Sequence, residues 1–226
     1  MNLLAFETSS MLGSVALETA SGITVRELGI PREQTESLLR VTDELLAAAS
    51  LDLESLDGIA FGRGPGSFTG LRVSAAVAQG LGAASGVPLL PVSSLLCLAE
   101  RAWQEVGCER ALVCVDAHMG EVYWAWAARR GDIVEIVGDE RLGAPADVVP
   151  PEAAPPWCAV GNGFTAHAVA LTGVTRAASK VLPELLPSAA ALLPRAKRDL
   201  TAGRIAPPAA ALPVYLREQT AWRRSP

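Results

Sequence analysis

Two acidic residues are candidates for a chemical role, and each directly follows a short apolar run. Glu7 follows Leu3–Phe6, and Asp116 follows Ala111–Val115. Carboxylates at two such strand ends, in facing lobes, could hold a magnesium–nucleotide complex through bound waters. The alternative is structural, because an acid at this position also accepts hydrogen bonds from the backbone amides of its own turn. The sequence leaves both interpretations open.

A glycine-rich run, Gly62–Gly70, follows another apolar segment and precedes a helical pattern. A strand, a tight turn and a helix N-terminus in this order could cradle an anion. The run lacks the Lys-Ser/Thr ending of a P-loop, and Ser67 or Thr69 stands where a dinucleotide fingerprint needs its third glycine. The other interpretation is a tight strand-to-helix turn with Ser67 or Thr69 as the N-cap. Because the run matches neither of these two nucleotide-binding motifs, we favour the structural role.

Covalent catalysis and metal binding find little support in the side chains present. Ser67 lies outside a G-x-S-x-G elbow, because Pro65 and Thr69 stand where that motif needs glycine. His118 and His167 are far apart and form no HxxxH pair, so no metal site is predicted. The cysteines form no CxxC pair and are expected to be buried free thiols: Cys97, Cys108, Cys114 and Cys158.

The composition excludes several broad classes of protein. Half of the 226 residues are hydrophobic (50%) and 19% are charged, which is enough apolar material for a folded core. The formal net charge is −5, so any role on nucleic acid is expected to go through a partner. The N-terminus lacks the basic stretch of a signal peptide, and no apolar run reaches the ~18 residues that cross a bilayer. We therefore expect a cytoplasmic protein with no membrane contact.

Hydrophobic periodicity in the first half predicts an α/β fold. Strands are predicted at Leu3–Phe6, Gly13–Leu17, Ile23–Leu28, Leu56–Gly62 and Leu89–Val92, and helices at Arg32–Ala49, Leu71–Ser85 and Ser94–Val106.

The pattern restarts in the second half, so that Glu7 and Asp116 end the first strands of two similar units. Such a repeat indicates two lobes of shared ancestry, although a chance match of two β-meanders is the alternative. The predicted strands here are Ala111–Val115, Glu121–Ala127, Ile133–Val137 and Trp157–Val160. A helix is predicted near Phe164–Leu171, then a helical remainder broken at Pro183, Pro187 and Pro194, then a short extended piece at Pro213–Arg217.

Four stretches, in order and spread over nearly the whole chain, resemble the bacterial TsaB (YeaZ) family. They are Phe6–Ser9, Gly62–Val73, Asp116–Tyr123 and Pro213–Arg217. The resemblance implies a two-lobed actin/hsp70/sugar-kinase-like (ASKHA) fold with duplicated βββαβα lobes, which we assign to residues 1–106 and 107–226. One departure is that Glu7 stands where the family usually has aspartate.

The resemblance also implies a function. The chain would be a non-catalytic scaffold or activating subunit in forming threonylcarbamoyladenosine next to the anticodon of tRNAs that read ANN codons. It would pair with a TsaD-like catalytic subunit and a TsaE-like ATPase, form a homodimer when alone, and meet tRNA only indirectly. No intrinsic cofactor is expected, although ATP or ADP could sit at the interface with the partner.

The predicted sites follow from the same resemblance and from a helix rich in small residues. Glu7 and Asp116 motivate the alternative function, an ATP-dependent phosphotransferase of the sugar-kinase type, whereas a protease would need a nucleophile or metal site that the sequence lacks. Any nucleotide contacts are expected at Glu7, Thr8, Ser9 and Asp116. The partner surface is expected to include Leu38, Leu45, Arg63, Pro65, Ser67, Phe68, Thr69, Leu71, Arg72, Ala76 and Gly80.

Overall fold

The computed structural model describes residues 1–29, 31–150 and 156–217, and it contains two five-stranded β-sheets. In the first sheet the strands are β1 (Leu3–Glu7), β2 (Gly13–Thr19), β3 (Gly22–Gly29), β4 (Gly58–Gly62) and β5 (Leu89–Val92). Their order is β3-β2-β1-β4-β5, with β1 antiparallel to β2 and parallel to β4. The central strand β1 therefore lies between β2, its antiparallel hairpin partner, and β4, a parallel strand reached by a crossover connection.

The second sheet repeats this topology. Its strands are β6 (Arg110–Asp116), β7 (Val122–Arg130), β8 (Ile133–Gly143), β9 (Cys158–Val160) and β10 (Lys180–Leu182). Read from β8, the order β8-β7-β6-β9-β10 matches that of the first sheet, and β6 is antiparallel to β7 and parallel to β9. The predicted repeat is confirmed, and Glu7 and Asp116 end equivalent strands.

Helices connect and cover the two sheets. They are α1 (Pro31–Ala48), α2 (Phe68–Ser85), α3 (Ser94–Val106), α4 (Gly163–Ala166), α5 (Thr172–Ala177) and α6 (Ala189–Thr201). The ends of α2 and α3 follow ordinary capping rules, because serine N-caps precede both helices and left-handed glycines follow them. In the second half, a 3₁₀ turn at Pro145–Asp147 is the only helical element described between β8 and β9, where the first half has α1.

The core is arranged in layers, with two helices between the sheets. The helix α3 packs on the second sheet, α6 packs on the first, and one buried cluster joins both sheets through them. A second cluster covers the outer face of the first sheet under α1 and α2, and a third covers the outer face of the second sheet. The predicted boundary between residues 106 and 107 would therefore place α3 and the second sheet in different halves. It would likewise separate α6 from the first sheet.

Two expectations for the predicted helical remainder are wrong. The stretch predicted as helical contains β10, a three-residue edge strand beside β9, which is too short to show a period in sequence. Pro194 lies inside α6 and does not break it, because the buried side chains of Leu192, Leu193 and Ala196 anchor the helix on both sides. The basic pair Arg223–Arg224, expected to be solvated, lies outside the described residues.

Candidate functional site

The first candidate carboxylate, Glu7, lies at the end of β1 and is completely buried. Its Oε1 accepts a hydrogen bond from the Ser9 backbone N–H (2.7 Å), and its Oε2 accepts one from the Ser94 hydroxyl (3.1 Å). Burial raises the pKa of Glu7 above its ordinary value, and the hydrogen bonds from Ser9 and Ser94 offset only part of that rise. Glu7 thus caps the turn after its own strand, as the structural interpretation expects.

The glycine loop, Gly62–Gly70, packs directly onto this turn. A methyl group at Gly70 would overlap the carbonyl oxygen of Thr8, so only glycine permits the approach of the two backbones. Hydrogen bonds join the two segments in both directions. Thr8 Oγ1 donates to the Gly70 carbonyl (2.7 Å), and the Ser67 N–H donates to the Ser9 carbonyl (2.8 Å). The glycine loop therefore closes over this turn, and we call this packing the glycine seal.

This packing fixes the position of Ser67 and buries the residues of the turn. Ser67 is the N-cap of α2, and its hydroxyl accepts a hydrogen bond from the Gly70 N–H at 3.4 Å. Glu7, Thr8 and Ser9 are 0%, 0% and 8% exposed. These three predicted nucleotide contacts are therefore buried in this structure.

Arg63, at the start of the glycine loop, ties the two sheets together. Its Nη2 lies 2.8 Å from Oε2 of Glu140 on β8, and the Ser93 hydroxyl donates to the other oxygen of the same carboxylate. The Arg63 carbonyl also accepts the Val214 N–H at 2.8 Å. Sequence reasoning missed Glu140, because β8 was expected to end at Val137. Arg63 and the buried Pro65, both predicted at the partner surface, thus make contacts within the chain.

The second candidate carboxylate, Asp116, remains partly open, with 19% of its side chain exposed. His167 Nε2 lies 3.0 Å from its Oδ1 and His118 Nδ1 lies 3.2 Å from its Oδ2, while the His118 backbone N–H donates to Oδ1 at 3.0 Å. Partial burial pushes the pKa of Asp116 up, but the hydrogen bonds and charges of the two histidines outweigh it and lower the pKa. Asp116 is an ionised carboxylate flanked by two imidazoles.

An exposed surface runs along α2 from its first turn. Phe68, Thr69, Arg72, Ala76 and Gly80 are all exposed, whereas the predicted Leu71 is buried.

The first turn of this surface carries an aromatic cluster. The Arg72 guanidinium lies 3.8 Å from the centroid of the Phe68 ring, and its Nε donates to Tyr215 Oη at 3.1 Å. The rings of Phe68 and Tyr215 are 5.6 Å apart between centroids. Tyr215 was missing from the predicted site, and the one sequence signal for it was its place in the Pro213–Arg217 stretch.

Two of the predicted partner contacts on α1 are corrected. Leu38 and Leu45 are 0% and 3% exposed and belong to the core against the first sheet, because the apolar stripe of an amphipathic helix faces its own sheet first. Leu39, one position along, is 51% exposed and is the apolar side chain that α1 offers to the surface.

The remaining polar candidates form no metal centre among the residues described. No group of three or more histidine, cysteine or acidic side chains in those ranges could hold a metal ion. The four cysteines are free and buried, and burial raises the pKa of Cys114 to about 12. Among the helices of these ranges, none combines the length and the apolar composition of a membrane-spanning segment.

Comparisons with known proteins find relatives that match most or all of the chain. Residues 29–206 match the family described as "TsaD: tRNA N6-adenosine threonylcarbamoyltransferase". The chain is 32% identical to the tRNA threonylcarbamoyladenosine biosynthesis protein TsaB of Escherichia coli (strain K12), covering 100% of this chain and 99% of that protein. The same named protein of Haemophilus influenzae is 32% identical over 100% of this chain and 98% of its own length.

The solved structure of YeaZ from Pseudomonas aeruginosa superimposes on the chain with a TM-score of 0.86. The two are 36% identical, over 95% of this chain and 99% of that one. The predicted α/β fold with two related sheets is confirmed by this match together with the strand orders.

Proposed function

We infer the function of this chain from its family: it belongs to the TsaB family of tRNA threonylcarbamoyladenosine biosynthesis proteins. We propose that it is a non-catalytic subunit that activates a TsaD-like threonylcarbamoyltransferase. The product is threonylcarbamoyladenosine next to the anticodon of tRNAs that read ANN codons. A TsaE-like ATPase completes the assembly, which works in the cytoplasm. The chain itself carries a net charge of −5, so the proposal leaves tRNA binding to the partners.

The single observation that carries the non-catalytic role is the glycine seal. A phosphotransferase that bound its nucleotide through Glu7, Thr8 and Ser9 would need these side chains open to the ligand. Here Glu7 is fully buried under the glycine loop, and Thr8 already donates its hydroxyl hydrogen to the Gly70 carbonyl. No observation favours the phosphotransferase alternative.

The surface proposed to meet the catalytic subunit lies on α1 and α2. It comprises Leu39 on α1 and Phe68, Arg72, Ala76 and Gly80 on α2, all exposed. Alanine and glycine let another backbone approach closely, while aromatic and arginine side chains are frequent anchors of protein interfaces. We propose that the same face pairs two copies of the chain when the partner is absent.

A reconstituted reaction tests the role. Cognate TsaD, TsaE, tRNA and a threonylcarbamoyl-adenylate source are mixed with and without the chain, at several ATP concentrations, and threonylcarbamoyladenosine is measured. Product is expected only with the chain, and equally with the double variant Glu7→Gln, Asp116→Asn. Product without the chain contradicts the activating role. Loss of product with a folded double variant would instead support a catalytic role for these carboxylates.

A bulky substitution tests the surface. A Cβ at Gly80 meets no atom within 4 Å, so Gly80→Trp fits the free chain. It is expected to weaken binding to the TsaD-like subunit about 30-fold or more, the ~2 kcal/mol of an interface hot spot. The matched control is Val169→Trp, because Val169 is 92% exposed in the second half of the chain. Equal affinities of both variants, measured by calorimetry, would remove the surface from the proposal.

A further inference from the structure

The chain returns to the first sheet after α6. Ala206 forms a β-bridge with Leu89, and the buried Ala211 accepts a hydrogen bond from Gln79 Nε2 on α2 at 3.1 Å. These contacts fix the point from which the next residues depart. We call residues 213–217 the C-terminal strap, because they run from the first half of the molecule to the second.

The first part of the strap is attached to the glycine loop and α2. The Val214 N–H donates to the Arg63 carbonyl at 2.8 Å. Tyr215 contacts the Phe68 ring and accepts the hydrogen bond from Arg72 Nε. Both anchors belong to the first half, so this end of the strap is immobilised by backbone and side-chain contacts together.

The second part of the strap reaches the turn between β6 and β7 in the other half. Arg217 Nη2 donates to the Ala117 carbonyl at 3.1 Å, and Nη1 lies 2.5 Å from Oε2 of Glu121. The same nitrogen is 3.6 Å from the Met119 sulfur. One guanidinium thus binds both ends of the turn, and only 21% of its side chain is exposed.

The turn that Arg217 binds has an unfavourable backbone. His118 and Met119 have φ values of 60° and 56°, in the left-handed region that non-glycine residues seldom adopt. Their side chains are mostly exposed, Met119 at 82% and His118 at 87%, and they contact Arg217 and Asp116 respectively. Such a backbone persists only where its surroundings hold it. Besides the turn's own backbone hydrogen bonds, the groups that hold it are Asp116 on one side and Arg217 on the other.

We propose that the C-terminal strap is a conformational coupling device: it holds the 117–121 turn of the second half in register with the Phe68–Arg72 cluster of the first. Tyr215 anchors the strap and Arg217 clamps the turn, so a change at the α2 surface is transmitted to the turn 117–121. The proposal concerns the free chain and stands apart from the proposed function.

Three backbone amides report on the turn directly. In the intact turn the Ala117 N–H is bonded to the Glu121 carbonyl (2.9 Å), the Glu121 N–H to the His118 carbonyl (3.1 Å), and the His118 N–H to Asp116. Their exchange with solvent is slow only while the turn is closed. Hydrogen–deuterium exchange of the full-length chain at these amides therefore measures opening of the turn.

The test compares variants at both ends of the strap. Arg217→Ala is expected to speed exchange of the three amides about tenfold or more, and Tyr215→Ala, which does not touch the turn, to speed it in the same direction. The matched control is Arg130→Ala, which removes an exposed arginine whose ion pair with Glu135 spans 3.9 Å on the same sheet. It should leave the turn unchanged.

Two results would overturn the proposal. One is exchange within twofold of the parent in Arg217→Ala, or in Arg217→Lys should the alanine variant fail to fold. The lysine variant keeps a positive charge near Glu121 but cannot also bridge to the Ala117 carbonyl in the same forked geometry. The other is an unchanged turn in Tyr215→Ala, which would mean that Arg217 acts locally and that nothing is transmitted along the strap.

Discussion

The ends of β1 and β6 are equivalent in topology and opposite in chemistry. Each central strand ends in an acid and lies between an antiparallel hairpin partner and a parallel crossover partner. Glu7 is sealed from solvent with a raised pKa, whereas the Asp116 side chain is 19% exposed with a lowered one. Equivalent places in a duplicated fold therefore need not keep equivalent ionisation.

The loops after the parallel partners explain the difference. After β4, the chain runs through five residues, Arg63–Ser67, before α2 begins, which is enough to fold over the turn. After β9, Gly161 and Asn162 lead straight into α4. A Cβ at Gly161 would lie 2.6 Å from the Cys114 carbonyl, so this short loop also packs tightly, but two residues before the acid. The longer loop covers its carboxylate, and the shorter one leaves its carboxylate partly open.

The largest expected effect comes from breaking the seal with Gly70→Ala. The added methyl would overlap the Thr8 carbonyl, which belongs to backbone and cannot rotate away. We expect a loss of about 3 kcal/mol in the free energy of unfolding, at the upper end of overpacking effects. Urea denaturation followed by circular dichroism measures it.

The matched control is Gly80→Ala on the same helix, where a Cβ meets open space. Alanine in place of an exposed helical glycine is expected to raise the free energy of unfolding by up to about 1 kcal/mol. Equal responses of the two variants would mean that the glycine loop is not packed as tightly on residues 7–9 as this comparison requires.

The sequence predicted the repeat, most strands and the positions of both acids, because these depend on local periodicity. It could not predict the seal, which depends on contacts between distant residues. Glu7 meets Ser94 and Thr8 meets Gly70 across 87 and 62 positions of sequence. Leu38 shows the same limit: a leucine on a helix looks equally suited to a core and to an interface until the sheet beneath it is known.

The pH dependence of stability should distinguish Glu7 from Asp116, with a smaller effect than that of Gly70→Ala. The raised pKa of Glu7 means that its ionised form is less stable in the folded than in the unfolded chain. The contribution of Glu7 to stability therefore falls as the pH rises above the ordinary value of 4.5 toward the raised one, and Glu7→Gln removes this contribution from the pH profile. We expect the two to be equally stable near pH 4 and the variant to be the more stable of the two at pH 8.

Urea unfolding at several pH values measures this difference, with Glu54→Gln as the control at an exposed glutamate. A gap between Glu7→Gln and the parent that is independent of pH would show that Glu7 titrates alike in both states. The sealed end of β1 would then not differ in electrostatics from the open end of β6.

The smallest effect is the opposite one, from Asp116→Asn. The lowered pKa means that ionised Asp116 stabilises the fold above its ordinary value of 3.8, and that this contribution disappears as the pH falls through the lowered one. The variant should lose about 1 kcal/mol at pH 7, the net value of one ordinary hydrogen bond, because asparagine keeps one of the two acceptor oxygens. The loss should disappear once the pH is below the lowered pKa of Asp116. Asp132→Asn, at an exposed turn, is the control. If the loss persisted undiminished well below the ordinary value of 3.8, Asp116 would not be held as a carboxylate, and the contrast between the two strand ends would fail.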